Sequence, residues 1–141
     1  MEKAIIRSGI ERDLIEQFFV AEKHIRDELP FESQSQFMAT LVAGHGKGGT
    51  ENGNMIYYKG SPEKILAASV SFHDEHAADK TTRLYMSHFK TLEKVYEDFS
   101  KQGLRVLATG YRRTNAEKLS HIENLLSEIT FAGFIAFHDP L

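Results

Sequence analysis

Between Glu2 and about Glu28 the apolar residues Ile5, Ile6, Ile10, Leu14, Ile15, Phe18, Phe19 and Ile25 recur near helical spacing, with charges between them. That period predicts one or two helices. Pro30 breaks the pattern, and the compact apolar run FMATLVA predicts a buried strand from Phe37 to Ala43. The glycine-rich stretch GHGKGGTENGN closes on Asn52-Gly53, a hairpin-turn dipeptide, and leads into a second strand, MIYYK. The two strands are expected to pair antiparallel.

Farther on, Ser61 is placed to cap a helix, Pro62 suits its first position and Glu63 suits the positive end of its dipole. The lysine just before this corner, Lys59, would then stand beside helix-start amides, a combination that favours an anion. SFHDEHAADKTT reads as a loop. A long amphipathic helix is predicted from about Arg83 to Gln102, carrying Leu84, Phe89, Leu92, Val95, Tyr96 and Phe99, with Gly103 as its stop. Two more strands follow, LRVLATGYR and TFAGFIAF, separated by a predicted helix over NAEKLSHIENLLSE with Asn115 as its cap. The sum is an α+β fold: a mainly antiparallel twisted sheet flanked by helices, without the strict alternation of a doubly wound sheet.

Composition narrows the function classes. The chain has 141 residues, of which 41% are hydrophobic and 26% charged, in keeping with a single domain spanning residues 1–141. A net charge of -3 offers no general attraction to nucleic acid or anionic lipid, so any anion site must be local. There is no cysteine, which removes disulfides and thiolate metal sites and agrees with a reducing cytoplasmic setting. No apolar run approaches the roughly 18 residues of a membrane span, so no direct membrane contact is expected.

Several stretches touch on known chemistry. Gly44, Gly46 and Gly49 match G-x-G-x-x-G, but a strand rather than a helix is predicted after them, so a hairpin loop accounts for them better than a dinucleotide site. Asp79-Lys80-Thr81-Thr82 resembles an aspartyl-phosphate motif with Thr82 where glycine is wanted, and it also makes an ordinary helix start. His73 and His76 are metal-ligand types in a segment read as loop, where nothing fixes them on one face.

Period-two parity says more. Gln36, Met38, Thr40 and Val42 share one face, as do Met55, Tyr57 and Lys59, and Arg105, Leu107 and Thr109. If these faces adjoin, Met38 and Leu107 floor an apolar slot with Lys59 and Arg105 at its mouth and Phe31 as an aromatic lid. Such a slot would take a flat base inside and phosphates outside. The same residues also fit ordinary core and solvated strand ends.

Five separated segments resemble one family, the nucleotide-binding domain of P-type cation-transporting ATPases. YKGSPEKIL is similar to its K-G-A-P-E segment, GLRVLATGYR to its G-x-R-x-L-A strand, and TFAGFIAFHDPL to the closing strand before D-P-P-R. LPFESQSQFMATL resembles P-F-x-S-x-x-K-x-M, and MEKAII resembles the P-x-E-x-A-L helix start. The resemblance covers nearly the whole chain. It implies an ATP-binding domain of a cytoplasmic part of a membrane protein, excised from a longer pump. In it Phe31 stacks on adenine, Lys59 lies in the pocket, Arg105 reaches towards phosphate and Glu2 approaches the adenine amino group, while Met38, Gly60 and Leu107 line the cavity. Gln36 stands where the family has lysine, and Ser33 where some members have a basic residue. Fewer cations imply weak binding, around millimolar, or roughly 4 kcal/mol. The implied cofactor is ATP, as Mg-ATP in the full-length protein, and the implied partner is the phosphorylation domain. That domain would carry the acceptor aspartate of D-K-T-G-T, so the isolated chain is not expected to hydrolyse ATP. The alternative is a protein-interaction or regulatory domain of the same fold with little nucleotide affinity, and the transported ion is not encoded in this segment.

Overall fold

In the computed structural model, residues 24–44 and 53–139 are described. They form a seven-stranded sheet in the order β1-β2-β3-β6-β7-β4-β5. The strands are β1 Ile25–Leu29, β2 Phe37–Val42, β3 Asn54–Gly60, β4 Ser69–His73, β5 Thr81–Arg83, β6 Arg105–Thr114 and β7 Ile129–Phe137. Helix α1 spans Pro62–Ala67 and helix α2 Met86–Lys101. Each pairing among the described residues is antiparallel except β4 with β7. The expected α+β class with a mainly antiparallel sheet is what is found.

The core lies on one face of the sheet. Phe37, Ala39 and Leu41 of β2, Ile56 and Tyr58 of β3, Ala108 of β6 and Phe131 of β7 pack there against Ile65 and Leu66 of α1 and Tyr96 of α2. Alternation along β2, β3 and β6 sends the intervening residues to the opposite face. The β2–β3 pairing was expected, and its register runs from Phe37 opposite Gly60 to Val42 opposite Met55. The turn residue Gly53 has a φ of +45°, whereas Asn52 and the glycines 46 and 49 lie outside the described residues. So does the helical period between residues 2 and 23.

Three sequence expectations are corrected. Ile25 continues the helical period of the preceding residues, yet residues 25–29 form a strand, because pairing with β2 gives their backbone a partner and seats Leu29 against the core. Residues 71–73 and 81–83, expected as loop and helix start, are strand: β4 and β5 make a hairpin with Ser71 opposite Arg83 and His73 opposite Thr81. Helix α2 accordingly begins at Met86 rather than near Arg83, and its cap is the Tyr85 amide donating to His88 Nδ1 at 3.1 Å. Its end is as expected, with Gly103 at a φ of +82°.

The largest departure is the predicted helix over 115–128, which is irregular apart from a single 3-10 turn at Leu119–His121. Its carbonyls are taken by distant donors. Arg112 donates to Asn124 O at 2.8 Å and to Ser127 O at 3.2 Å, the Tyr58 hydroxyl donates to Leu125 O at 2.6 Å, and Asn54 Nδ2 donates to Ala116 O at 2.8 Å. The Leu119 amide in turn donates to Asp27 Oδ2 at 2.8 Å. These bonds replace the i to i+4 ladder and let Leu119, Ile122, Leu125 and Leu126 reach the core.

Gly60 ends β3 where the chain turns into α1. A Cβ there would meet Gln36 O at 2.5 Å and Phe37 Cβ at 2.7 Å, so only glycine lets the β1–β2 loop close against this corner. Gly60→Ala is therefore expected to cost about 1–3 kcal/mol, as overpacking against backbone does. Urea denaturation checks this, and a variant as stable as the parent would show that the loop shifts without cost.

Candidate functional site

Strand register brings the candidate residues into order. Met38 lies opposite Lys59, Lys59 opposite Thr109, and Thr109 opposite Gly133, so one rung crosses β2, β3, β6 and β7 on the face away from the core. The next same-face rung on β6 and β7 is Leu107 with Ile135, and the one after that is Arg105 with Phe137. Arg105 thus stands four residues from Thr109, about 13 Å along the strand. Because β3 stops at Gly60, these last rungs project past it, beside the loop that precedes β2.

That loop carries Phe31, a residue 53% exposed. It is folded by the Gln36 amide donating to Glu32 O at 2.8 Å, with Gln36 at a left-handed φ of +61°. The Ser61 amide then donates to Gln36 O at 2.9 Å, tying the Phe31 loop to the β3–α1 corner. Phe31, Gln36, Met38, Lys59 and Leu107 therefore gather at one end of the sheet. Arg105 lies farther out on the same face, where its Nε pairs with Asp139 Oδ2 at 2.8 Å. Glu2 lies outside the described residues.

The corner itself differs from expectation. Ser61 caps α1 as foreseen, its Oγ accepting from the Lys64 amide at 3.4 Å. But the helix has six residues, and the Ser61 and Lys64 amides already have protein partners. Two of the helix-start amides are therefore already engaged, and among the described residues Lys59 and Arg105 carry positive charge on this face of the sheet. Gly60 belongs to the opposite, packed face, against Phe37, so any ligand contact it makes is through backbone.

Parity had already placed Thr109 beside Leu107 and Arg105, without a role. Its hydroxyl donates to Gly133 O at 3.1 Å. Gly133, a glycine inside an apolar strand, carries the signal of a bulge or a close approach, and the β6–β7 register shifts beside it.

The same face continues into a polar cluster on the β4–β5 hairpin. His73 Nδ1 is 2.9 Å from the Tyr111 hydroxyl and His73 Nε2 is 2.7 Å from Glu75 Oε1. Lys80 Nζ lies 3.5 Å from Glu75 Oε2. Burial pushes the Tyr111 phenol up, and the His73 hydrogen bond, helped by Lys80, holds the Glu75 carboxyl below its usual range. His76 donates its amide to Asp74 Oδ1. Among the described residues no group of three or more His, Cys, Asp or Glu side chains is placed to hold a metal ion. Asp79 Oδ1 accepts from the Thr81 amide at 3.3 Å, a local turn that starts β5 rather than a helix.

A mainly antiparallel sheet with its core on one face, and with cations and an aromatic loop at one end of the other, defines a small α+β domain. The chain belongs to the family of the P-type ATPase cytoplasmic domain N, whose model matches residues 2–141. It is 34% identical over 99% of its length to the cation-transporting ATPase pma1 of Synechocystis. It is 33% identical over 86% to the calcium-transporting ATPase lmo0841 of Listeria monocytogenes, and 29% identical over 80% to the calcium-transporting ATPase 1 of Saccharomyces cerevisiae. The matched regions span only 14%, 13% and 11% of those relatives. Among the described residues no helix is long and apolar enough to cross a membrane.

The hairpin carries a pH dependence with a definite sign. The Thr82 hydroxyl, at 2.7 Å, and then the His76 amide hold the Asp74 carboxyl below its ordinary 3.8. A carboxyl lowered in the folded state contributes stability in full above its unfolded pKa and loses it as pH falls through the folded one. Protection of the Thr81–Arg83 amides against exchange should thus hold at pH 6 and weaken below the ordinary 3.8. Asp74→Ala should show the weaker protection already at pH 6 and respond less to acid; an identical pH response in both proteins would rule this out.

Proposed function

We propose that this domain binds ATP at the Lys59 end of the sheet and holds it for phosphoryl transfer to an aspartate in a separate domain of a cation-transporting P-type ATPase. The observation that carries the reading is the shared rung of Met38, Lys59 and Thr109, with the Phe31 loop fastened to its end through Gln36 and Ser61. Membership of the domain N family supports it. Phe31, exposed on its loop, offers a ring for the base, and such stacking is worth on the order of 1–3 kcal/mol. Met38 and Leu107 offer apolar floor. Lys59 stands on this rung, and Arg105 is far enough along the face to meet the phosphate end of an extended nucleotide.

Two features bear on strength. The Arg105–Asp139 pair is more than half exposed on both sides, so it is worth about 0–1 kcal/mol and a phosphate can compete for the guanidinium. Gln36 provides a neutral amide where its family counterpart provides a cation. Binding near the millimolar range, about 4 kcal/mol, is the expectation. In the whole pump Mg-ATP would be the ligand, and hinged delivery to the phosphorylation domain would bring the γ-phosphate to its acceptor. The neutral Gln36 also favours the second reading, a regulatory or interaction domain of this fold with little nucleotide affinity.

Titrating ATP into the isotope-labelled chain separates the two. The ATP reading expects saturable shifts at Phe31, Met38, Lys59 and Leu107, with Lys59→Ala weakening binding by about 1 kcal/mol or more without altering the fold. Shifts elsewhere, or none up to about ten millimolar, well above the expected dissociation constant, would leave the regulatory reading. An unchanged affinity in the lysine variant would remove Lys59 from the pocket.

A further inference from the structure

On the face away from the core, a bridge of side chains joins two strands that do not pair. His73 of β4 reaches over β7 to β6, where its Nδ1 lies 2.9 Å from the Tyr111 hydroxyl and the two rings meet edge-on with centroids 5.9 Å apart. On the other side of the ring, Nε2 lies 2.7 Å from Glu75 Oε1. Between the strands, Thr130 of β7 stands opposite Tyr111 and is engaged with Ser71 at 2.8 Å. The β4–β5 hairpin, at the edge of the sheet, is thus held to β6 by this bridge alone.

The hydrogens on the bridge are set by chemistry. The Glu75 carboxyl, held below its usual range by the His73 hydrogen bond and by Lys80, is ionised from about pH 5 upward. An ionised carboxylate only accepts, so Nε2 carries a hydrogen. Neutral His73 therefore offers a bare Nδ1, which accepts from the Tyr111 hydroxyl. In protonated His73, Nδ1 donates to the Tyr111 oxygen instead, and the Glu75 contact becomes an ion pair. Neither contact is lost on protonation, and both become hydrogen bonds to a charged group, the stronger kind.

The other charged and titratable groups around the ring come from each element packed there. β6 contributes Arg113 and β3 contributes Tyr57, next to the Tyr111 phenol that burial pushes up. β5 contributes Arg83, which lies over the Tyr85 ring at 5.6 Å. The hairpin turn contributes Asp79, Lys80 at 3.5 Å from Glu75 Oε2, and Asp74, which accepts from the Thr82 hydroxyl and the His76 amide. Glu75 is the carboxylate in hydrogen-bond contact with the His73 ring, and His76 is the other imidazole of the hairpin.

We propose that His73 is a proton-operated clamp, whose protonation between about pH 8 and pH 5.5, the range in which histidine titrates, tightens the β4–β5 hairpin onto β6. By linkage, a bridge strengthened by a proton adds most stability on the acid side and loses it as pH rises. The Asp74 effect runs the other way and sets in at lower pH, so the two are separable. Tyr111 is two residues from Thr109 on the same face, so the clamp closes beside the rung that carries Lys59.

Amide exchange at Ser71–His73, expressed as protection relative to the unfolded chain so that the intrinsic pH dependence cancels, tests the clamp. In the parent, protection should rise about two- to fivefold from pH 8 to pH 5.5, the scale of a partly exposed ion pair. Glu75→Gln keeps an acceptor oxygen without the charge, and should flatten this rise while leaving protection at pH 8 near the parent's. His76→Gln should keep the rise. Ring nitrogen shifts of His73 in the parent at pH 8, which need no variant to fold, should place its hydrogen on Nε2. The proposal is overturned by a parent without the rise, by a Glu75→Gln chain that rises as the parent does, by a His76→Gln chain that does not rise, or by a ring hydrogen on Nδ1 at pH 8.

Discussion

The approach of the Gln36–Phe37 backbone to Gly60, closer than any side chain would permit, is the constraint on which the candidate site depends. It lets the loop bearing Phe31 sit against the end of β3, and the Ser61–Gln36 hydrogen bond keeps it there. From that point the site is a matter of register. Antiparallel pairing carries the position of Met38 across to Lys59 and on to Thr109, and alternation decides that all three face away from the core. A slip of one residue in β3 would bury Lys59 and expose Tyr58. The core prevents that slip, because Ile56 and Tyr58 are almost wholly excluded from solvent and Tyr58 spends its hydroxyl on the Leu125 carbonyl. Burial raises the Tyr58 phenol's pKa, in keeping with a hydroxyl that acts as donor in this bond.

The residues named in sequence separate by how local their signals are. Lys59, Met38, Leu107 and Thr109 were legible because period-two parity assigns a face before any partner is known, and the observed register then aligns those faces. Ser61, Pro62 and Gly103 were legible because a cap or a stop is written in one or two residues. The segment 115–128 was not. Its composition favours a helix, and what overrides that preference is a set of donors on Tyr58, Arg112 and Asn54, remote in sequence, with an acceptor on Asp27. The β4–β5 hairpin was hidden for another reason. Serine, histidine and threonine fill its alternate positions, and the polar contacts that suit them to a sheet, such as Ser71 with Thr130 at 2.8 Å, exist only after β7 is in place.

The β7 register shift beside Gly133 belongs to the same class. Read in isolation, TFAGFIAF is an apolar run whose two halves appear continuous. Only the pairing with β6 shows that one residue is surplus. Likewise Arg105 is legible as a strand-end cation but not as the partner of Asp139, which comes from the far side of β7. Sequence thus spoke to which groups are available at this end of the sheet, and tertiary pairing to how they are held.

The parallel contact of β4 with β7 has a consequence for how the chain comes together. In the sheet β7 lies between β6 and β4, although β4 leaves the ribosome some sixty residues earlier. Until the final strand has been made, the β4–β5 hairpin has no edge to join, and the early strands can pair only among themselves. Assembly of this sheet must therefore wait on its last-made strand, a non-local order of the kind that slows folding and leaves polar-faced hairpins waiting in solution. A chain cut short before Ile129 would hold two disconnected fragments of sheet, with Ser71 and His73 stranded away from Thr130 and Tyr111.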